Sequence, residues 1–216
     1  MLKKKLYINC KKIFFDFDGV IVDSNNFKEK AITESIKQVC PENLNLENSI
    51  SFFNQNAGLG REKKLSKFFD KNIVDKILNV YKEKCYKFFS YQKATYGCRD
   101  FIKKIRNSYP DLKINILSGG NLNEIKLFLV NNKMDTFFNK VLSDNKTKKQ
   151  HLIDANAAAE DIFFGDSKGD LLTAKNHPLS FILVKGYSSK LSRPSLDQEK
   201  YAKFTICNFS NIELKL

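Results

Sequence analysis

Two aspartates two residues apart, Asp16 and Asp18, end the run Lys12-Ile13-Phe14-Phe15 and are followed at once by Gly19. A second pair, Asp166 and Asp170, follows Ile162-Phe163-Phe164-Gly165, and a hydroxyl with two glycines, Ser118-Gly119-Gly120, follows Lys113-Ile114-Asn115-Ile116-Leu117. Carboxylates are seldom fully buried unless paired or metal-bound. Open parallel sheets bind ligands just beyond the carboxyl ends of their strands. Acids placed repeatedly at such ends therefore point to chemistry. Asp-Gly at a strand end is also an ordinary turn, and a strand-end aspartate can cap the following helix. A cap accounts for one aspartate, whereas two pairs converging on one edge would repel unless a cation neutralised them. Oxygen-only ligands suit Mg²⁺. Paired glycines after a strand let backbone amides approach an anion closely.

These residues can meet only if the runs that precede them are neighbouring strands. Each run is apolar, rich in β-favouring residues and too short for a helix, so it reads as a strand covered on both faces. Further strands are expected at Val141-Leu142, Phe181–Val184 and Phe204–Ile206, with helices around Phe101–Ile105, Ile125–Val130, Leu152-Ile153 and residues 171–175. Strand and helix alternation implies right-handed βαβ units and an α/β fold: a three-layer, Rossmann-like parallel sheet between helices. Between the first motif and residue 95 the period is helical instead. Phe27, Ala31, Ile32, Ile36 and Val39 form one stripe before Pro41, Leu65, Phe68 and Phe69 a second, and Ile73, Ile77, Tyr81, Cys85 and Phe88 a third. A connection of roughly seventy residues is too long for a loop in a compact domain. The expectation is a small α-helical cap over residues 24–94, inserted into a core made of residues 1–23 and 95–216.

Composition narrows the function classes. Of 37 basic residues only four are arginine (61, 99, 106, 193), and the lysines are spread along the chain. The net charge of +13 attracts anions, but base and phosphate readers lean on the bidentate Arg fork, so nucleic acid is not the expected partner. No run of eighteen apolar residues occurs, and the start, Met1-Leu2-Lys3-Lys4-Lys5, is not followed by the apolar run of a signal peptide. A cytoplasmic protein that does not bind membranes is expected. Five cysteines without a Cys-x-x-Cys pair argue against a disulfide framework or zinc cluster. Neither His151 nor His177 has a partner at metal or triad spacing.

The string Asp16-Phe17-Asp18-Gly19-Val20-Ile21-Val22-Asp23-Ser24 resembles the first motif of the haloacid-dehalogenase-like (HAD) hydrolases, in their phosphatase branch. Ile116-Leu117-Ser118-Gly119-Gly120, the lysines ahead of Leu152, and Gly165-Asp166-Ser167-Lys168-Gly169-Asp170 fall in the order of the remaining three motifs. The whole is similar to phosphoglycolate-phosphatase-like and β-phosphoglucomutase-like members with a helical C1-type cap. The resemblance implies that Asp16 attacks phosphorus and forms an aspartyl-phosphate. It implies that Asp18 protonates the leaving oxygen and later accepts a proton from water. Ser118 and Gly119 would hold phosphate oxygens. Of Lys146, Lys148 and Lys149, the family's Lys-x-x-x-Leu spacing selects Lys148, with Lys149 the alternative. Asp16, the backbone carbonyl of Asp18, Asp166 and, directly or through water, Asp170 would hold Mg²⁺. Arg61, in the cap stretch Asn56-Ala57-Gly58-Leu59-Gly60-Arg61, would face the substrate. The second acid argues against the dehalogenase and P-type ATPase branches. The expected activity is Mg²⁺-dependent hydrolysis of a small phosphorylated metabolite by a monomer or homodimer. A sugar phosphomutase on the same residues is the alternative, and a catalytically silent polyanion-binding module follows behind it.

Overall fold

The computed structural model describes residues 3–42, 46–56 and 59–215. Its first strand, β1 (Lys4–Tyr7), lies outside the main sheet, and the next, β2 (Lys12–Phe15), runs through the middle of it. With β3 (Lys113–Leu117), β4 (Lys140–Leu142), β5 (Ile162–Gly165), β6 (Ser180–Val184) and β7 (Phe204–Ile206) it forms a six-stranded sheet in the order β4-β3-β2-β5-β6-β7. Every pairing is parallel. Phe15 lies opposite Ile116 on one side and Phe164 on the other, so the ends of β2, β3 and β5 coincide, and with them the residues that follow.

Alternation along each strand separates two apolar layers. Ile13 and Phe15, with Ile114, Ile116, Ile162 and Phe164, enter the larger core beneath α5 (Cys98–Ser108) and α6 (Leu122–Asn131). Phe14, Leu117, Phe163 and Leu183 enter a smaller one with Leu152 of α7 (Lys148–Asp154) and Leu171 of α8 (Lys168–Asn176). The phenylalanines knit strands together: Phe15 stacks on Phe164 with ring centroids 4.6 Å apart. A parallel pair outside the sheet was not expected: β1 pairs with β8 (Ile212–Lys215) in register from Lys4 opposite Ile212 to Tyr7 opposite Lys215. Its lysine-rich strand reads as a solvated segment, and only Leu6 is buried there.

Helices α1 (Asn25–Val39), α2 (Leu46–Gln55), α3 (Arg61–Leu65) and α4 (Lys71–Tyr91) make the cap. The stripe Val74, Ile77, Tyr81, Cys85 and Phe89 buries one face of α4, which packs on both α1 and α6. Asp70 caps α4, its side chain accepting from the Ile73 amide at 3.0 Å. Two readings of the cap change. The stripe at Leu65, Phe68 and Phe69 is helical only through Leu65, the phenylalanines lying in the turn that follows, and α2 was not anticipated within its Asn/Ser-rich sequence. Chain enters and leaves the cap side by side: Val22 bridges Ala94 antiparallel, and the Thr95 amide donates to the Ile21 carbonyl at 2.9 Å. Phe89 packs on Phe17 and Phe128 of the core at 5.7 and 6.3 Å. Nearby, Arg61 donates to both carboxylate oxygens of Glu124 at 2.6 and 2.7 Å. No helix among the described residues is long and apolar enough to cross a membrane.

Phe15→Ala is expected to cost about 3–5 kcal/mol in a denaturant titration, because both flanking strands lose their central contact and a cavity remains. Glu124→Gln, which leaves a largely buried guanidinium without its charge partner, is expected to cost about 3–5 kcal/mol by the same measurement. A loss below about 1 kcal/mol would mean that the ion pair does not hold the cap to the core.

Candidate active site

Asp16 leaves β2 with its amide donating to the Phe164 carbonyl at 2.8 Å, which continues the β2–β5 ladder one residue past the strand. The chain then folds back on itself. Ile21 and Val22 amides donate to the Phe17 carbonyl at 2.9 and 3.1 Å, and the Gly19 amide to the Val22 carbonyl at 2.8 Å. Gly19 sits at φ 76°, and a Cβ there would lie 2.2 Å from Oδ2 of Asp166. Only glycine satisfies both the left-handed backbone and the close passage past Asp166. The turn brings α1 over the carboxylates: the Asn25 side-chain amide donates to Asp166 Oδ2 at 2.9 Å, Ser24 Oγ to Asp18 Oδ1 at 2.5 Å, and Lys28 Nζ to Asp18 Oδ2 at 2.6 Å.

Asp16, Asp166 and Asp170 converge, with one oxygen of each within 4.8 Å of the others. All three are buried. Lys148 enters between two of them, its Nζ 2.9 Å from Asp16 Oδ1 and 2.5 Å from Asp170 Oδ1. Burial opposes that ammonium, but the two carboxylates outweigh it and hold its pKa above the ordinary lysine value. Burial and then the Asp170 charge push the Asp16 carboxyl up to about 7, and burial with Asp170 and Asp16 pushes Asp166 well up. One ammonium among three carboxylates does not remove their mutual repulsion, and the all-oxygen donor set fits a hard divalent cation.

Asp170 does two jobs. Its Oδ2 accepts from Ser167 Oγ at 2.6 Å and from the Ser167 amide at 3.2 Å, closing a capping box on α8, while Oδ1 takes Lys148. The other two lysines stay away: Lys146 pairs with Asp154 at 2.7 Å on the surface, and Lys149 is exposed. Ser118 is buried at the end of β3, its Oγ accepting from the Gly120 amide at 2.9 Å, which leaves the hydroxyl proton available. Nothing lies within 4 Å of where a Gly119 Cβ would stand, so backbone there faces open space. His151 is buried with Nε2 2.8 Å from the Ser143 carbonyl. A cavity of about 670 Å³ opens beside the Ala94–Thr95 crossing, lined by Lys93, Thr95, Arg99, Lys104 and Phe209 among others, and shares no residue with the carboxylate cluster.

The cap faces this floor with cations. Arg61, besides pairing with Glu124, lies over the Tyr81 ring at 4.8 Å. Glu124 and Tyr81 together hold its guanidinium charge against the cost of burial. Arg61 is thus brought to the cap–core seam with both ends of its fork engaged; of its loop, Ala57 and Gly58 lie outside the described residues. Lys64, one turn later, is buried, donates to the Phe53 carbonyl at 3.1 Å, and lies 3.6 Å from the Phe53 ring centroid. Burial, then the positive charges of Arg61 and Lys28, lower its pKa to about 7. For Asp18 the balance is opposite: burial would raise its carboxyl, but Lys28, Ser24 and Arg61 together hold it below the usual value. Sequence reasoning missed Lys28, Asn25, Glu124 and Lys64. Lys28 stands one turn after Ser24 on the face of α1 that Asp18 meets, a spacing visible in the sequence; Glu124 carries no such signal, since an acid in a first helical turn is ordinary.

Solved structures share this architecture at low identity. CbbY from Rhodobacter sphaeroides, in complex with phosphate, superposes with a TM-score of 0.71 at 14% identity, covering 94% of this chain and 96% of that one. A putative phosphoglycolate phosphatase from Lactobacillus plantarum gives 0.67 at 14% identity, covering 98% of each chain. A haloacid dehalogenase-like hydrolase from Streptococcus pneumoniae gives 0.65 at 19%, covering 93% and 95%. No curated protein matches. The profile of the family described as haloacid dehalogenase-like hydrolase matches residues 13–184, a span that runs from β2 through the cap, Ser118, Lys148 and the Asp166/Asp170 pair to the end of β6. On that match the chain belongs to the haloacid dehalogenase-like hydrolases.

Proposed function

We propose that the protein is a phosphatase that hydrolyses a small phosphomonoester, such as a sugar phosphate or a phosphoglycolate-like compound, through an aspartyl-phosphate on Asp16. The observation that carries the reading is the convergence of Asp16, Asp166 and Asp170 around Lys148. In this reading residues 24–94 form the cap and residues 1–23 and 95–216 the core. Asp16, the Asp18 carbonyl, Asp166 and Asp170 hold Mg²⁺, which when bound supplies the charge that lets a phosphate dianion enter among carboxylates. Lys148 favours the ionised form of Asp16 against burial and Asp170 and aims it, and Ser118 with the Gly119 backbone binds phosphate oxygens. An Asp16 carboxylate oxygen attacks phosphorus as the ester oxygen leaves with a proton delivered through Asp18, which Lys28 holds ionised at rest and which carries that proton only once Lys28 is drawn off it. Asp18 then takes a proton from the water that cleaves the acyl phosphate. The cap closes over the substrate and excludes bulk water. Five cysteines, all without a disulfide, accord with a reducing, cytoplasmic setting.

Phosphate release from a panel of phosphorylated metabolites tests this. Release is expected to require Mg²⁺, to stop with EDTA, and to fall roughly 10⁴-fold or more in Asp16→Asn. Asp18→Asn is expected to lose about 10²–10⁴-fold. Isomerised sugar phosphate without net phosphate release would replace the hydrolase by a mutase. Gly19→Ala is expected to lower kcat/KM about 10²-fold or more, because Asp16 and Asp166 cannot both keep their places; unchanged activity would refute that positional role.

A further inference from the structure

Lys148 holds two of the three clustered carboxylates and leaves the third to another residue. Its ammonium meets Asp16 and Asp170. Asp166, only 3% exposed, has no cation at ion-pair distance among the described residues, and the side-chain bond its carboxylate accepts there is the one from Asn25 to Oδ2 at 2.9 Å. The same Asn25 nitrogen donates to the Tyr187 carbonyl, also at 2.9 Å. A primary amide carries two protons on its nitrogen, so both are spent, and the amide turned the other way would set its oxygen against a carboxylate and a carbonyl. Asn25 therefore has one orientation. Its surroundings are equally restricted, since a Cβ at Gly19 would lie 2.5 Å from Asn25 Nδ2 and only glycine lets that side chain reach Asp166. One turn along α1, Glu29 accepts from Ser189 Oγ, and Ser188 Oγ donates to the Asp166 carbonyl at 2.9 Å. The loop at residues 187–189 thus holds Asp166 twice, by its backbone through Ser188 and by its side chain through Asn25.

We propose that Asn25 is the positioning residue of Asp166: its amide, anchored on the loop at 187–189, keeps that carboxylate beside Asp16 and Asp170 as a ligand ready for a divalent cation. The proposal rests on the phosphatase reading for the cation. Like charges on Asp16 and Asp170 press Asp166 away from the cluster, and a donor is needed to hold it there where Lys148 does not reach. The start of α1 is built for this. Ser24, at the N-cap position, makes no capping bond and donates to Asp18, and Asn25 after it donates to Asp166, so both polar side chains serve the carboxylates and the helix forgoes its cap. Ligating carboxylates are themselves hydrogen-bonded, and such partners set metal affinity without touching the metal. Because Asn25 opens α1, the placement of an acid on the sheet edge is set from the cap side of the site.

Mn²⁺, which carboxylate sites accept alongside Mg²⁺, reports the ligand set without turnover. Its binding to the substrate-free protein is read from the electron paramagnetic resonance of the free ion and competed with Mg²⁺. Asn25→Ala, which removes the donor and adds no bulk, is expected to weaken Mn²⁺ binding about ten- to a hundred-fold. The Mg²⁺ concentration for half-maximal phosphate release is expected to rise by the same factor, while saturating Mg²⁺ restores kcat to within about three-fold of wild type. A merely structural role would lower kcat at every Mg²⁺ concentration and leave the metal affinity alone. Ser189→Ala, which releases Glu29 and loosens the anchor of α1, is expected to weaken Mn²⁺ binding in the same direction by about three-fold, and it carries the test if Asn25→Ala does not fold. Mn²⁺ affinity within about two-fold of wild type in Asn25→Ala, or in Ser189→Ala where that variant alone folds, overturns the proposal. Absence of Mn²⁺ binding by the wild type removes the cation site and the phosphatase reading with it, whereas binding that Asn25→Ala leaves intact removes the positioning role alone.

Discussion

Three carboxylates sharing one ammonium at the edge of a parallel sheet are the constraint on which the rest of this structure depends. Asp16, Asp166 and Asp170 can be held within 4.8 Å of one another only because β2 and β5 are adjacent and in register, so that their ends coincide. Lys148 offsets part of the repulsion and is itself kept charged by the acids it bridges. The rest is left over. The interior has little capacity to screen it, and the three carboxylates are compatible with a cation between them. The stability for this arrangement comes from elsewhere, from the phenylalanines at 14, 15, 163 and 164, whose side chains fill both apolar layers beneath the acids.

Charge is distributed across the site in opposite signs. The floor, from β2, β5, α7 and α8, is negative with one lysine; the wall, from α1 and α3, is positive with Asp18 and Glu124 set against it. Asp18 belongs to both, by sequence to the floor and by contact to the wall. That double membership separates it from Asp16 two residues away: burial raises both, but Asp16 also faces the like charge of Asp170 and is pushed up, whereas Asp18 faces Lys28, Ser24 and Arg61 and is held down. Two carboxylates of the same chemical type therefore acquire different proton affinities from their neighbours alone.

The core was largely legible in the sequence and the cap much less so. Strands end where apolar runs meet Asp, Ser-Gly or Gly-Asp, and β3 and β7 fall on the expected residues because buried strands in a parallel sheet leave uninterrupted apolar runs. Of Lys146, Lys148 and Lys149, it is Lys148, at the start of α7, that meets Asp16 and Asp170, whereas Lys149 is exposed. Asp170 was read as either a cap or a ligand, and it closes a capping box while touching Lys148, since a carboxylate has two oxygens to divide. What escaped were contacts between elements far apart in the chain. Glu124 is ordinary in a first helical turn until Arg61 arrives from 63 residues earlier, and β1 became a strand only by pairing with β8 across the length of the chain.

The two halves of the site are fixed by different means, and this bears on how such a site can change. Floor residues stand on strand ends and on a turn whose glycine has no room for a methyl group, so their positions follow from backbone geometry. Lys28 and Arg61 reach Asp18 and the cap–core seam from helices on long side chains, Arg61 anchored by Glu124 and Tyr81. A substitution in the floor moves the strand-end carboxylates, whereas one on the cap side leaves that backbone in place. Arg61 is the exception, because its ion pair to Glu124 is also the seam by which α3 is held to α6. Loss of Arg61 would release the seam and leave Glu124 buried without its counter-charge. Arg61 is therefore bound to the fold by the ion pair it makes.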